Sequence, residues 1–428
     1  MFSKTKMRCQ PADNLQRWTI FAVLALMYIL VYFYRVSLAV VAGDISRELN
    51  LTPQRLGSLS GILFYVYAVA QLPLGPMIDR LGSRLVISGC GILTTIGGIL
   101  FAQADSFVMA MAARILIGIG TASVLMATFT IFSHWFSKRE FGRVSGFMVA
   151  VGNLGNLFAT APLALAVGAV GWRSSFLMIG IVQALVTVLV FGMVRDRPPS
   201  NPSPAEPSEE TTAEAVKTGM LAAWREIFGN RDFWLLGAIA FAWYGNYLAL
   251  QGLWGGPYLM EVLRLSREAT GKMLMFTSLG FICGSMVTDT IARRYFKSYK
   301  KTLLVGQMFL LLLMSAFLGW AEAIPHLLLA VLFFAIGLAV SSGVMIYPLI
   351  RSMFPVRIVG TALTSLNFFV LMGAASAQHV MGIIVGSFDR GEGGISPGAL
   401  HTAFLLPVVG LLVSIVLYAS ARDYGQES

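Results

Sequence analysis

Twelve apolar runs, each long enough to cross a lipid bilayer, constrain this chain more than any other feature. A spanning helix needs about 20 mostly apolar residues. Six such runs lie at Trp18–Ala42, Leu56–Ile78, Leu85–Gln103, Phe107–Trp135, Val144–Val170 and Phe176–Val194. Six more follow at Phe233–Tyr258, Thr270–Ala292, Thr302–Trp320, Ile324–Ile350, Val359–Phe388 and Ala399–Ala421. Lipid offers the backbone no hydrogen-bond partners, so continuous apolar runs must be helices. Their lack of two-residue alternation excludes a barrel of short strands. Composition agrees, with 57% hydrophobic and 12% charged residues, against about 25% charged in a soluble domain. An ordinary cytosolic enzyme, a disordered chain and a collagen-like chain are excluded. Glycine is abundant, at 43 residues, which suits helices that approach closely in lipid. Cys9, Cys90 and Cys283 are too few and too scattered for a disulfide framework or a zinc site. Cys9 follows charged residues, so it does not read as a lipid anchor. The first run is too long for a signal-peptide core and lacks a small-residue cleavage site.

The net charge of +10 would suggest nucleic acid in a soluble protein. Here the basic residues fall in short loops, where they set membrane orientation. One side holds Lys4, Lys6, Arg8, Arg17, Arg80, Arg84, Lys138, Arg139, Arg143, Arg293, Arg294, Lys297, Lys300, Lys301, Arg351 and Arg357. The other holds Arg47, Arg55, Arg173, Arg264, Arg267, Lys272 and Arg390. Both termini are therefore expected in the cytoplasm, in a multi-pass protein of the inner membrane. The expected division is a cytoplasmic N-terminus over 1–17, a six-helix bundle over 18–195, a cytoplasmic linker over 196–230, a second bundle over 231–421 and a tail over 422–428. Proline and acidic residues over Arg195–Glu214 mark a solvated linker. After it, Leu221, Trp224, Ile227 and Phe228 repeat at helical spacing beside Lys217 and Arg225. That pattern fits an amphipathic helix on the membrane face, or an ordered loop leading into the seventh span.

The halves echo each other. Gly75, Asp79, Arg80, Gly82 and Arg84 close the second span, and Asp289, Arg293 and Arg294 close the eighth. Gly142 and Gly155 at the fifth span share their spacing with Gly360 and Gly373 at the eleventh. The expected fold is an all-α integral membrane protein with twelve transmembrane helices in two six-helix pseudo-symmetric bundles. A six-span unit used twice is a transporter architecture, with substrate between the halves.

The loop Gly75-Pro-Met-Ile-Asp79-Arg80-Leu-Gly82-Ser-Arg84 resembles the signature of the major facilitator superfamily. Arg114-Ile-Leu-Ile-Gly118-Ile-Gly120 resembles that superfamily's RxxxGxG in span four. The resemblance covers nearly the whole chain and implies two bundles rocking about a central cavity. The second-half motif is degenerate, with Ser285 where a glycine is usual. The GPxxGG-like pattern of drug/proton antiporters is absent from span five, which reads Gly152-Asn153-Leu-Gly155-Asn156. Tyr32-Phe-Tyr34-Arg35-Val-Ser-Leu38-Ala39 looks like a pattern of the organophosphate:phosphate antiporters and the anion:cation symporters. In those branches the arginine grips a phosphate ester or a carboxylate. Trp135–Arg143 and Gly171–Phe176 also resemble them. Two departures stand out. Thr121 occupies the place of a glutamate common in the symporters, and span seven lacks the second basic residue of the phosphate-ester antiporters.

A charge inside a span is costly and must face protein or water. Arg35 is such a charge, and Tyr28, Tyr32 and Arg35 share one helix face. The face suits a carboxylate or phosphate held by bidentate bonds; the plainer explanation is an arginine snorkelling to the interface. Tyr67 and Gln71 lie on a stripe of span two with Ser60 and Phe64. Trp243, Tyr247 and Trp254 mark a stripe of span seven, with Tyr244, Gln251 and Asn246 beside it. Span eleven carries Asn367 and Gln378 on one face, next to His379. Polar and aromatic groups at mid-depth line an aqueous cavity or tie neighbouring helices, and the pattern alone allows both. The substrate-binding candidates are Arg35, Tyr28, Tyr32, Tyr67, Gln71, Trp243, Tyr247, Gln251 and Asn367. Arg114 and Gly118 are structural, near-site candidates, with Arg114 bonding backbone carbonyls or polar groups of span one. Gly75, Asp79, Arg80, Arg84, Asp289 and Arg293 form the candidate conformational latch, on the strength of the resemblance; a solvated loop is the alternative.

Acidic residues are absent from mid-depth in every span: Asp44, Asp105, Glu261 and Glu322 fall at span ends or in loops. A carboxylate relay is thus missing. His379 is the proton-coupling candidate, since imidazole titrates near neutrality. The expected function is secondary transport of a small organic anion, with a co- or counter-transported ion and the lipid bilayer as further partners. The expectation is a monomer without metal, cofactor or nucleic acid. Efflux of an apolar or aromatic compound and a transporter-like receptor are the competing readings. No nucleophile–base pair, metal cluster or phosphate-cradling loop suggests an enzyme.

Overall fold

The computed structural model describes residues 11–198, 222–388 and 395–424. Lys4, Lys6, Arg8, Cys9, Lys217, Leu221 and Arg390 lie outside the described residues, as do the side chains of Asp79, Lys138, Arg139 and Arg357. Among the described residues there are helices and turns and no strand.

The first span is α1 (Pro11–Val36) followed by α2 (Leu38–Glu48), broken at Ser37. It therefore runs past the expected end at Ala42. Then come α3 (Pro53–Leu81) and α4 (Ser83–Ala102). The fourth span is α5 (Phe107–Thr121) with α6 (Val124–Trp135). The fifth is built from α7 (Lys138–Gly152), the short α8 (Leu154–Phe158) and the first part of α9 (Ala161–Met193). In the second half, α10 (Arg231–Leu248) continues through wide turns at Ala249–Trp254 and Tyr258–Val262. It is followed by α11 (Arg267–Ile291), α12 (Tyr299–Met314) and α13 (His326–Ser341). Last are α14 (Ile346–Met353), α15 (Val356–Gly386) and α16 (Pro397–Ala419).

Eleven described stretches are long and apolar enough to cross a membrane. One, Arg143–Met193, has 51 residues and at 1.5 Å per residue would be far longer than a bilayer core of about 30 Å. It holds two crossings. The chain reverses at Gly171, whose φ of 79° is open to glycine and costly to other residues. Beyond it, Arg173 bonds the carbonyls of Ala102 and Ala104 at one end of α4. At the other end of α9, the Arg195 carbonyl accepts from the Trp135 indole. The total is twelve crossings, as the apolar runs predict.

Short polar caps start these helices. Thr52, Ser106, Ser137, Asn230, Ser266, Ser298 and Ser396 each accept a backbone N–H from the first turn. Such a cap satisfies a donor that the helix itself leaves free. Ser137 and Glu140 form a reciprocal capping box, and Glu140 also meets Arg17 at 3.4 Å. The Ser137 backbone N–H and hydroxyl hold the Glu140 carboxyl below its usual range. Residues 222–228 form a short helix ahead of α10, with Ile227 buried and Trp224 and Phe228 exposed.

The repeat seen in the glycine spacing is physical. A Cβ on Gly155 would stand 2.0 Å from the Ile29 carbonyl of span one, and a Cβ on Gly373 2.0 Å from the Phe241 carbonyl of span seven. The fifth span thus packs on the first as the eleventh packs on the seventh. Gly118 meets the Leu63 carbonyl at 2.9 Å on the same logic, tying span four to span two.

The halves meet along α3 with α15 and along α11 with α9. On the side away from the termini they are pressed together. A Cβ on Gly57 would lie 2.6 Å from the Gln378 carbonyl, and Arg267 pairs with Asp44 across the joint. On the termini side, Gly75, Gly146 and Gly360 have nothing within 4 Å. The structure is closed on the far side, where Asp44 and Arg267 join the halves.

Candidate functional site

Arg35 lies in the last turn of α1, two residues before the break at Ser37. The carbonyl end of a helix favours a cation there. The side chain is buried, at 8% exposure, and is not a snorkelling surface group. Its guanidinium carbon stands 4.7 Å from the Tyr32 ring centre and 4.8 Å from that of Tyr67. Two aromatic faces therefore hold it by cation–π attraction. Nη1 donates to the Tyr244 hydroxyl at 3.4 Å, and Nε has no partner. The Tyr28 hydroxyl donates to that of Tyr32 at 3.4 Å. Tyr28, Tyr32 and Tyr67 come from the first half and Tyr244 from the second, so the cation sits at the joint.

Among the described residues Arg114 is the other buried arginine, and it is spent differently. Nη1 donates to the Tyr34 carbonyl at 2.9 Å, Nε to the Leu59 carbonyl at 3.2 Å and Nη2 to the Ser60 carbonyl at 3.5 Å. It ties span four to spans one and two and has no free face for a ligand. Among the described residues the only buried carboxylate is Asp232, at the start of α10, where it accepts from the Tyr424 hydroxyl. None of the described carboxylates pairs with Arg35.

Around this cation the two halves touch through polar side chains. Asn367 donates to Gln71 Oε1 at 3.1 Å, and the hydroxyls of Tyr65 and Ser376 lie 3.4 Å apart. His379 stands edge-on to the Tyr65 ring with centroids 6.3 Å apart, on the same α3–α15 contact. Asn156 of α8 donates to the Tyr247 hydroxyl of α10 at 3.1 Å.

Other candidates are used between helices of the second half. The Trp243 indole donates to the Val340 carbonyl at 2.7 Å. Gln251 donates to the Leu274 carbonyl and to Ser278. Gln378 donates to the Leu248 carbonyl and receives, at its backbone carbonyl, the Trp254 indole. Sequence spacing does not separate these amides from Gln71 and Asn367. Tyr65, Ser376 and Asn156 were not among the candidates. The mid-depth amide between Gly152 and Phe158 was the available signal for Asn156.

The latch residues lie at the termini end. Arg84 donates through Nε to the Phe191 carbonyl at 2.9 Å, and its backbone N–H to Asp196 at 2.8 Å. Arg293 pairs with Asp289 one turn away. These bonds stay within their own halves. Arg80 is exposed, and Gly75 faces open space.

Twelve crossings in two repeated halves, with a buried cation at their joint, define a multi-pass helical membrane protein built on a repeated six-helix unit. The chain belongs to the Major Facilitator Superfamily, which matches residues 24–378. A probable L-galactonate transporter of Escherichia coli (strain K12) is 28% identical over 66% of this chain and 64% of its own length. A probable sulfoacetate transporter of Cupriavidus necator is 27% identical over 64% of each. The match thus spans just under two thirds of those two relatives. A probable hexose phosphate transport protein of Chlamydia trachomatis is 21% identical over 96% of this chain and 92% of its own. Among solved structures, a bacterial homolog of the human lysosomal transporter Spinster shares the fold at a TM-score of 0.76. It has 20% identity and covers 96% of this chain and 97% of that one.

Proposed function

We propose that the protein is a secondary transporter of a small organic anion, a carboxylate or phosphate ester, working by alternating access. The observation that carries this reading is Arg35: buried, uncompensated by any described carboxylate, with Nε unpartnered and tyrosines of both halves around it. An unpaired buried cation is unstable by several kcal/mol. An anion that reaches it removes that instability and gains charge-assisted hydrogen bonds. Tyr28, Tyr32, Tyr67, Tyr244, Tyr247, Gln71 and Asn367 complete the site. The names of the relatives, which include a sugar acid, a sulfonate and a sugar phosphate, support an anionic substrate.

Because the ligand touches both halves, its binding lowers the cost of bringing them together. The latch motif, with Asp79 and Arg80, closes the termini side in the opposite state. The distribution of basic residues supports an inner-membrane protein with both termini in the cytoplasm, and the family resemblance supports a monomer. With no described mid-depth carboxylate, coupling is exchange, uniport, or symport in which His379 or the substrate carries the proton.

The test is counterflow in proteoliposomes with a panel of carboxylates and phosphate esters. Arg35→Ala should abolish exchange of any transported anion while the protein remains folded and inserted. Arg35→Lys should restore little, since a point charge lacks the planar fork. Full exchange by folded Arg35→Ala protein refutes the reading.

A further inference from the structure

Asn156 lies in α8, a five-residue helix bounded by breaks at Asn153 and at Ala159–Thr160. Gly152 and Gly155 press this segment onto Tyr28 and Tyr32 of span one, leaving no room for a Cβ at either glycine. The side chain is 2% exposed. Its Nδ2 donates to the Tyr247 hydroxyl at 3.1 Å and to Asn153 Oδ1 at 3.3 Å, which uses both amide hydrogens. Its Oδ1 has no partner.

The neighbours fix which atom is left over. Asn153 donates through its own Nδ2 to the Val149 carbonyl at 3.0 Å, so its Oδ1 is the atom turned to Asn156. A flipped Asn156 would set two acceptor oxygens against each other. The orphan is therefore an acceptor. Asn246, Gln251, Gln307 and Gln378 also have an unpartnered amide oxygen, but their nitrogens bond within the second half. Of these five amides, Asn156 is the one bonded to a tyrosine of the opposite half. Tyr247 in turn lies 5.9 Å, centroid to centroid, from Tyr244, whose hydroxyl accepts from Arg35. A path of two tyrosine rings thus joins a cation to a bare acceptor.

We propose that Asn156 accepts a hydroxyl of the substrate, so that the site selects hydroxylated monoanions over plain carboxylates of equal length. The proposal rests on the anion reading of Arg35 and deepens it. Carboxylate, phosphate and sulfonate oxygens are acceptors and leave Asn156 Oδ1 unsatisfied. A hydroxyl donates to it. An ammonium would also donate, but it would place a second cation near Arg35 with no described carboxylate to offset it. One cation at one end calls for one anionic group, and the amide at the other end calls for a hydroxyl.

The experiment measures binding of D-gluconate, D-mannonate, hexanoate and D-glucose to purified full-length protein by calorimetry. Hexanoate has the carbon count and charge of the aldonates without hydroxyls, and glucose has hydroxyls without charge. At least one aldonate should bind wild type about tenfold or more tighter than hexanoate, the scale of one unmade hydrogen bond at a buried acceptor. Glucose should bind more weakly than that aldonate. Asn156→Leu should cut aldonate affinity about tenfold and leave hexanoate unchanged, which also shows that the variant is folded. Equal binding of hexanoate and aldonates by wild type overturns the proposal while the anion reading stands. Equal losses for both ligands in Asn156→Leu overturn it too and make Asn156 structural. If no carboxylate binds wild type, the anion reading falls and the proposal with it.

Discussion

The far-side closure gives a prediction whose size follows from the structure. Asp44 of α2 and Arg267 of α11 meet at 2.5 Å across the joint, with side chains 16% and 28% exposed. At an effective dielectric near 20, two charges about 4 Å apart attract by about 4 kcal/mol. Desolvation and side-chain ordering cancel much of that, and fully exposed pairs retain only about 0.2–1 kcal/mol. This pair is partly buried, so about 1–2 kcal/mol is expected. Asp44 also accepts from Arg47, which is 77% exposed and adds little. Since Asp44 and Arg267 belong to different halves, the pair stabilises only the state closed on the far side. Asp44→Asn should shift the population toward far-side opening by about 5- to 30-fold. The assay is labelling of a single cysteine placed beside the joint, by a reagent added from the far side only. Arg267→Ala should match Asp44→Asn, the double variant should add little to either, and Arg47→Ala should have a small effect. High salt should narrow the gap between wild type and variants. Unchanged labelling in both single variants, or additive effects in the double variant, would refute the argument.

Further outcomes follow from the same contacts. Arg114→Ala should lower thermal stability and expression by the equivalent of about 3–5 kcal/mol, because three carbonyl contacts lose their donor at a buried site; the variant's melting temperature checks this. If His379 carries the proton, His379→Gln should keep counterflow but lose accumulation driven by a pH gradient, as measured in proteoliposomes. Gly171→Ala should cost about 1–3 kcal/mol, because φ 79° with ψ 163° is open essentially to glycine alone, visible as a lower melting temperature with unchanged ligand affinity.

The span count and the two-half plan were legible because each crossing is a local property of some 20 residues. The same holds for the repeat: Gly155 and Gly373 occupy matching places in sequence and make matching contacts in space. Where a run was misjudged, the cause is also local. Span one extends to Glu48 because α2 buries Leu38, Ala39, Val40, Val41, Ala42 and Ile45, and exposed charge begins only at Arg47 and Glu48. Arg35 was legible as a special residue, since no arginine inside an apolar run can face lipid cheaply.

Which polar residues stand at the joint was not legible. Gln71, Gln251, Asn367 and Gln378 look alike in a sequence: an amide at mid-depth on a helix. An amide's role depends on the group that faces it, and that group comes from an element far away in the chain. Gln71 meets Asn367 across 296 positions, whereas Gln251 finds Ser278 on the next span of its own half. Likewise both Arg35 and Arg114 are charges that lipid forbids, and the sequence alone determined that each must be enclosed. Tertiary structure decided that Arg114 meets three carbonyls while Arg35 meets aromatic rings and keeps a free N–H. The physical reason is that burial cost belongs to the residue, while its compensation belongs to whatever the packed helices bring within 3–4 Å.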